Sequence, residues 1–459
     1  MHRLIAALLL VGACATAETH GVVAIRNAKI VTVGGPVLAK GTVVIRDGLI
    51  EAVGENVPAP ADAAIVEGEG LTVYPGMVDS LSTWGMADAA APAAAAGGRG
   101  GRGAATPATP TGAPAAAAAT PARGPEDRPA TTSWLKAADE IQPGDRRIPT
   151  ARAAGFTTAV AFPTRGIFAG QGAIFDLMAG ETAGEMVVAP AAGQYIALAR
   201  GGGGFPSALM GTIAYIRQIY LDAAHYTLVK QAYARDPRGM ERPAYDRALE
   251  GVLESKRILL PANRLVEIDR MLRFAAELKQ PVILYGMQEA YRPEAAELLK
   301  KAGVPVLVSL KWPEAPRDAD PELVESLRTL QTRDQAASAP AALKKAGVPF
   351  AFYSDGVDAA RDLQRAVKKA IDAGLSREDA VRALTLSPAE IYGVADRLGS
   401  IEKGKIGNLV VTRGDIFDDR TKVEMTFVDG VKYIPPPEAP AGGGRGGAST
   451  DTATPGGVR

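Results

Sequence analysis

Pro281-Val282-Ile283-Leu284-Tyr285 runs through five residues without a charged interruption. A half-buried strand alternates apolar with polar side chains, so an unbroken run of this length reads as a strand covered on both faces, as in a parallel sheet. Ala159-Val160-Ala161-Phe162, Val304-Pro305-Val306-Leu307-Val308 and Pro349-Phe350-Ala351-Phe352-Tyr353 are runs of the same kind. Helical stretches separate them. Leu343 to Ala346 ends at Gly347, a residue suited to the left-handed conformation that closes a helix. Ser387-Pro388-Ala389-Glu390 offers a capping serine, a first-turn proline and a reciprocal glutamate. Helix–strand units repeated over roughly 320 residues predict a mixed α/β protein built on a (β/α)₈ barrel, with an open doubly wound sheet as the second architecture.

Outward from this middle, both ends turn β-rich. Val22-Val23-Ala24-Ile25, Lys29 to Val33 and Thr42 to Ile45 are β-branched runs, and Asp47-Gly48 before Leu49 to Val53 is a type I′ hairpin signal. Leu409 to Thr412 and Val423 to Val428, closed by Asp429-Gly430, repeat the pattern near the other end. The expected organisation is a small composite β-sandwich from residues 18–73 and 398–436, with the barrel over 74–397.

The 459 residues carry 51 basic and 51 acidic side chains, a balance that argues against a nucleic-acid binder. An apolar fraction of 47% is enough for a large core. The single cysteine, Cys14, excludes an intramolecular disulfide framework and a thiolate-rich metal site. Residues 1–17 read as an export signal, with Arg3 ahead of the apolar Leu4 to Ala13. Ala15-Thr16-Ala17 is an A-x-A cleavage site for soluble export to the periplasm or cell envelope. Val11-Gly12-Ala13-Cys14 is the alternative, a lipobox that would tether the protein to a membrane. Residues 88–130 and the tail 437–459 are dominated by Ala, Gly, Pro, Thr and Arg, and are expected to stay disordered.

Tyr74-Pro75-Gly76-Met77-Val78-Asp79 after a β-rich start resembles the amidohydrolase superfamily, especially its imidazolonepropionase-like and dihydroorotase-like branches, whose first barrel strand reads roughly P-G-F-I-D-x-H-x-H. Ala151 to Thr158 resembles the approach to the family's second strand. Tyr353-Ser354-Asp355-Gly356 is similar to its eighth strand, and Ala380 to Ile391 to the helices after it. Leu398 to Val410 and Val428-Asp429-Gly430 resemble the return into the small β-domain. The resemblance implies a TIM-like barrel with a composite β-sandwich. It also implies hydrolysis of non-peptide C–N bonds in amides and cyclic amides, assisted by one or two divalent metals, typically zinc. Histidines at the C-terminal ends of strands 1, 5, 6 and 8 would hold them.

The sequence departs from the family at those positions. Leu81 and Thr83 stand where the two strand-1 histidines belong. The strand-5 candidate, 282–286, carries Tyr285, and the strand-6 candidate, 306–310, runs into Lys311-Trp312. Of three histidines, His2 and His20 precede the barrel and His225 sits in a helical stretch as an ordinary helix residue. No cofactor is therefore expected. Asp355 keeps its register and is the catalytic candidate, although aspartate before glycine is also a common turn or cap. Tyr285 and Lys311 are candidate substrate-binding residues, with Trp312 beside them, suited to an anionic ligand. Gly170-Gln171-Gly172 and Gly201 to Gly204 lack phosphate-loop spacing and read as turn glycines.

Three readings follow. The first is an exported protein on a hydrolase scaffold, catalytically impaired, that binds a small molecule or an active relative. The second is an active hydrolase with an unconventional site, and the third a structural envelope protein.

Overall fold

The computed structural model describes residues 21–86, 128–198, 205–316, 318, 324–357, 360–418 and 420–435. The expected export signal, Cys14, residues 88–127 of the insertion, Gly201 to Gly204 and the tail lie outside the described residues.

Five strands open the chain: β1 (Val23–Ile30), β2 (Leu38–Arg46), β3 (Leu49–Gly54), β4 (Ala64–Glu67) and β5 (Thr72–Pro75). Eight follow: β6 (Met77–Ser82), β7 (Phe156–Ala161), β8 (Phe168–Asp176), β9 (Val187–Ile196), β10 (Ile258–Ala262), β11 (Val282–Gly286), β12 (Val306–Ser309) and β13 (Phe350–Tyr353). Three close it: β14 (Leu409–Thr412), β15 (Val423–Val428) and β16 (Val431–Tyr433).

The first sheet joins both ends in the order β16-β15-β14-β5-β1-β2-β3, with β4 beside β1. Its junction is the antiparallel pairing of β5 with β14, Thr72 opposite Thr412 through Pro75 opposite Leu409. Asp47 and Gly48 both take positive φ, 49° and 81°, as the β2–β3 hairpin requires, and Asp429-Gly430 does the same between β15 and β16.

The second sheet runs β6 to β13 in sequence order and nearly closes into a TIM-like barrel. Seven strands share one direction and β8 runs against them, since it pairs antiparallel with both β7 and β9. Only Phe162 to Ile167 separate β7 from β8, too few for the crossover a parallel pair needs, so the chain turns back as a hairpin. Gly170 and Gly172 thus lie inside a strand, which corrects their reading as turn glycines. A Cβ on Gly172 would come within 2.2 Å of the Phe162 ring.

Three further expectations change. Counted round the barrel, 282–286 and 306–309 are the sixth and seventh strands, because Ile258–Ala262 is the fifth. Ser387 lies inside the helix Leu386–Tyr392, and Thr385 precedes it. There the Thr385 hydroxyl donates back to the Val381 carbonyl, and a helix already ending at Leu384 leaves no room for a separate cap at Ser387. Residues 128–130 of the expected insertion are among the described residues, and the Arg128 guanidinium pairs with Asp222 at 2.9 Å and Asp246 at 3.0 Å.

No backbone ladder joins β13 to β6 among the described residues, so side chains close the seam. The Ser80 hydroxyl donates to the Phe352 carbonyl at 2.7 Å, and the Tyr392 hydroxyl donates to the Ser80 carbonyl at 2.7 Å. Asp79, wholly buried, accepts from the backbone N–H of Ser354 at 3.0 Å and from its hydroxyl at 2.5 Å. A second buried carboxylate ties the barrel to the first sheet. Asp176 accepts from Thr158 at 2.8 Å and from the Asn408 amide at 2.7 Å, while Asn408 accepts from the Asp429 N–H at 2.7 Å.

Candidate functional site

Catalytic and binding groups of such barrels project from the C-terminal ends of the strands. Side chains two residues apart on a strand share a face. Val78, Val160, Leu259, Ile283, Leu307 and Ala351 are buried against one another in the lumen. Two residues further along their strands come Phe162, Tyr285, Ser309 and Tyr353, so these form the next inward layer, joined by Tyr195 from β9.

This upper layer is phenolic. The Tyr195 and Tyr285 rings stack at 5.7 Å and their hydroxyl oxygens lie 2.8 Å apart, one donating to the other. Tyr353 meets Tyr285 edge-on at 6.3 Å, and Phe162 lies 5.8 Å from Tyr195. Such contacts each contribute about 1 kcal/mol beyond burial and keep the rings oriented. Ser309 donates to the Asp355 carboxylate at 2.8 Å and accepts from the Lys311 backbone N–H at 3.0 Å. Asp355 is half-buried in left-handed backbone, φ 51°, just past the end of β13.

Removal from water raises the Tyr285 phenol well above its ordinary pKa, and the oxygens of Tyr195 and Asp355 add to the effect. Burial raises Tyr353 well above it too, again with Asp355 close by, and Tyr195 moves the same way. All three therefore stay protonated at neutral pH, as hydrogen-bonding groups rather than anionic ligands.

The sequence-derived candidates separate in space. Asp355 and Tyr285 belong to the one layer. The Lys311 side chain is exposed, and it joins that layer through its backbone N–H alone among the hydrogen bonds described. Trp312 is buried and its indole N–H donates to the Ala366 carbonyl at 2.8 Å, which makes it a packing residue instead of a pocket wall. His225 is exposed on the helix Leu209–Arg235. Sequence reasoning missed Tyr195 and Ser309. Tyr195 is the penultimate residue of a strand whose run is broken by Gly193-Gln194, and Ser309 shows its place only once the period of β12 is fixed.

The donor set does not fit a divalent metal of the kind the fold's relatives use. Leu81 offers no donor. Thr83 is already engaged, its hydroxyl accepting from Arg147 at 3.2 Å and its carbonyl at 2.8 Å. A cationic guanidinium beside that hydroxyl opposes a second cation. Both carboxylate oxygens of Asp79 serve the seam. Among the described residues no three His, Cys, Asp or Glu side chains converge as a metal-binding group. What converges there instead is a set of phenol and serine hydroxyls with one carboxylate.

A cleft of about 530 Å³ lies at the opposite end of β12 and β13, lined by Pro305, Pro349 and Phe350. Its charges are already matched, Lys344 with Asp379 at 2.5 Å and Arg382 with Glu390 at 2.6 Å.

Among solved structures, the chain is similar to an amidohydrolase from Thermotoga maritima, with 24% identity over 90% of this chain and all of that one, at a TM-score of 0.70. It is similar in fold to a prolidase complexed with N-methylphosphonate-L-proline, with 15% identity over 90% of this chain and all of that one, at a TM-score of 0.52. It is likewise similar to molinate hydrolase, with 15% identity over 90% of this chain and 95% of that one, at a TM-score of 0.51. No curated protein matches the sequence. Residues 269–432 match the amidohydrolase family, a stretch running from the helix before β11 to β16. With that match over its C-terminal part and a TIM-like barrel beside a second sheet, the chain resembles the amidohydrolase superfamily and shares the fold of these structures.

Proposed function

We propose that this protein is an exported amidohydrolase-superfamily member, impaired in metal-assisted C–N hydrolysis, that binds a small polar molecule in the mouth of its barrel. One observation carries the reading. The layer facing the mouth holds Tyr195, Tyr285, Tyr353 and Ser309 with Asp355, and Tyr285 stands at the C-terminal end of the sixth strand, where the family pattern calls for an imidazole. Neutral phenols offer O–H donors at fixed positions, and a single half-buried carboxylate can accept from an amide or hydroxyl of the ligand. Among the described residues, no set of ligands stands ready to make a metal-bound water nucleophilic. Export rests on the composition of residues 1–17, and lipid attachment at Cys14 is its variant.

The test screens amides, cyclic amides and N-acyl amino acids against the full chain, with thermal shift as the binding readout and product formation in the presence of zinc or manganese as the activity readout. Binding that raises the melting temperature without turnover, and that Asp355→Ala and Tyr285→Phe both weaken, is the expected result. Metal-dependent turnover abolished by Asp355→Ala would overturn the reading.

A further inference from the structure

The 27-residue helix Leu209–Arg235 has two apolar faces. One carries Tyr215, Ile216, Ile219 and Ala223, all buried against the barrel. The other carries Met210, Ala214, Leu221, Ala224, Leu228 and Ala232, spaced by three, four or seven residues and so stacked along one line. Every one of these six is exposed, Met210 by 85% and Leu221 and Leu228 by 64% each. A surface helix ordinarily turns charge to the solvent on the face away from its core, and a helix apolar on both faces is one covered on both. Two polar residues fall within the line: Arg217, whose guanidinium pairs with Glu277 of the neighbouring helix Leu265–Leu278, and the exposed His225, which the two-fold register below sets opposite the other copy's Arg217.

We infer that this outer face is the contact between two copies of the chain, packed antiparallel about a two-fold axis through Leu221. That register sets Met210 against the partner's Ala232 and Ala214 against the partner's Leu228, large against small, as interdigitating helices require. Leu221 meets its own copy, as the residue on an isologous axis must. The two Arg217 side chains stay about 12 Å apart along the axis, beyond close repulsion. The only acid of the helix, Asp222, is held by Arg128 and Gln218. With Leu209, 52% exposed, the large residues of the stripe present about 500 Å² per copy, or about 1,000 Å² in the pair, which reaches the lower end of specific interfaces.

Sedimentation of the full chain and a cysteine scan test this. The expected result is a dimer that Leu221→Arg converts to a monomer with an unchanged far-UV spectrum. In a Cys14→Ala background, Leu221→Cys should oxidise to a covalent dimer. Leu228→Cys alone should not, whereas Leu228→Cys mixed with Ala214→Cys should. A monomeric wild type, a dimer untouched by Leu221→Arg, or a monomer that instead binds phosphatidylcholine–phosphatidylglycerol vesicles through this face would overturn the inference.

Discussion

Asp79 and Asp355 are two carboxylates at the junction of the first and last barrel strands, and they have opposite circumstances. Asp79 is wholly buried and both of its oxygens accept hydrogen bonds across the seam. Asp355 is half-buried beyond the strand end, with Ser309 as its hydrogen-bond partner. The seam therefore depends on side-chain polar contacts that the fold cannot lose, because no ladder replaces them. At the mouth, the Tyr195, Tyr285, Tyr353 and Phe162 rings pack against one another and the polar groups stand beside them. A barrel can exchange the groups that do chemistry while keeping those that hold its strands together, since the two sets reside on different residues of the same strands.

The largest effect should come from Asp79→Ala, which strands the Ser354 N–H and hydroxyl in a buried site. A loss of about 3 kcal/mol in denaturant unfolding is expected. Asp79→Asn keeps the shape and should lose about 1 kcal/mol or less at neutral pH.

Comparable in size is the response to pH. Burial raises both Asp79 and Asp176 from 3.8 to about 7. The folded state then holds protons that the unfolded state releases, so stability falls as pH rises from about 4 to about 7. Each group contributes at most about 1.4 kcal/mol per pH unit across that window. Urea midpoints should decline between pH 5 and pH 7.5, and the Asp79→Asn, Asp176→Asn double variant should flatten the decline. A midpoint that rises over this range would show that neither carboxyl is protonated in the fold.

At the mouth the changes should be smaller. Tyr285→Phe removes one hydroxyl of the Tyr195–Tyr285 pair and should cost about 1 kcal/mol. Asp355→Ala should leave the unfolding midpoint within about 0.5 kcal/mol of wild type, as expected for a group outside the core. An Asp355→Ala loss as large as that of Asp79→Ala would erase the contrast between seam and mouth.

The strands around Ile283, Leu307 and Ala351 were legible because burial on both faces writes an unbroken apolar run. The first sheet was legible through Asp47-Gly48 and Asp429-Gly430, whose turn geometry is local. The strand Ile258–Ala262 was missed because only Ile258-Leu259-Leu260 stand between Arg257 and Pro261, too short a run to tell from a buried helix segment. The reversal of β8 was hidden in Gly170 and Gly172, which a strand uses only where another side chain presses on its backbone. The absence of imidazoles could be counted directly, but what replaces them could not. Tyr195, Ser309 and Tyr353 come from three strands, and their meeting depends on register that periodicity alone does not set.

Among its described residues this barrel has no side-chain set for a divalent metal, and elemental analysis of the full chain purified without chelators tests that. Zinc, manganese and iron should each stand well below one equivalent, unchanged by Asp355→Ala. One equivalent that survives gel filtration and is lost in Asp355→Ala would contradict it.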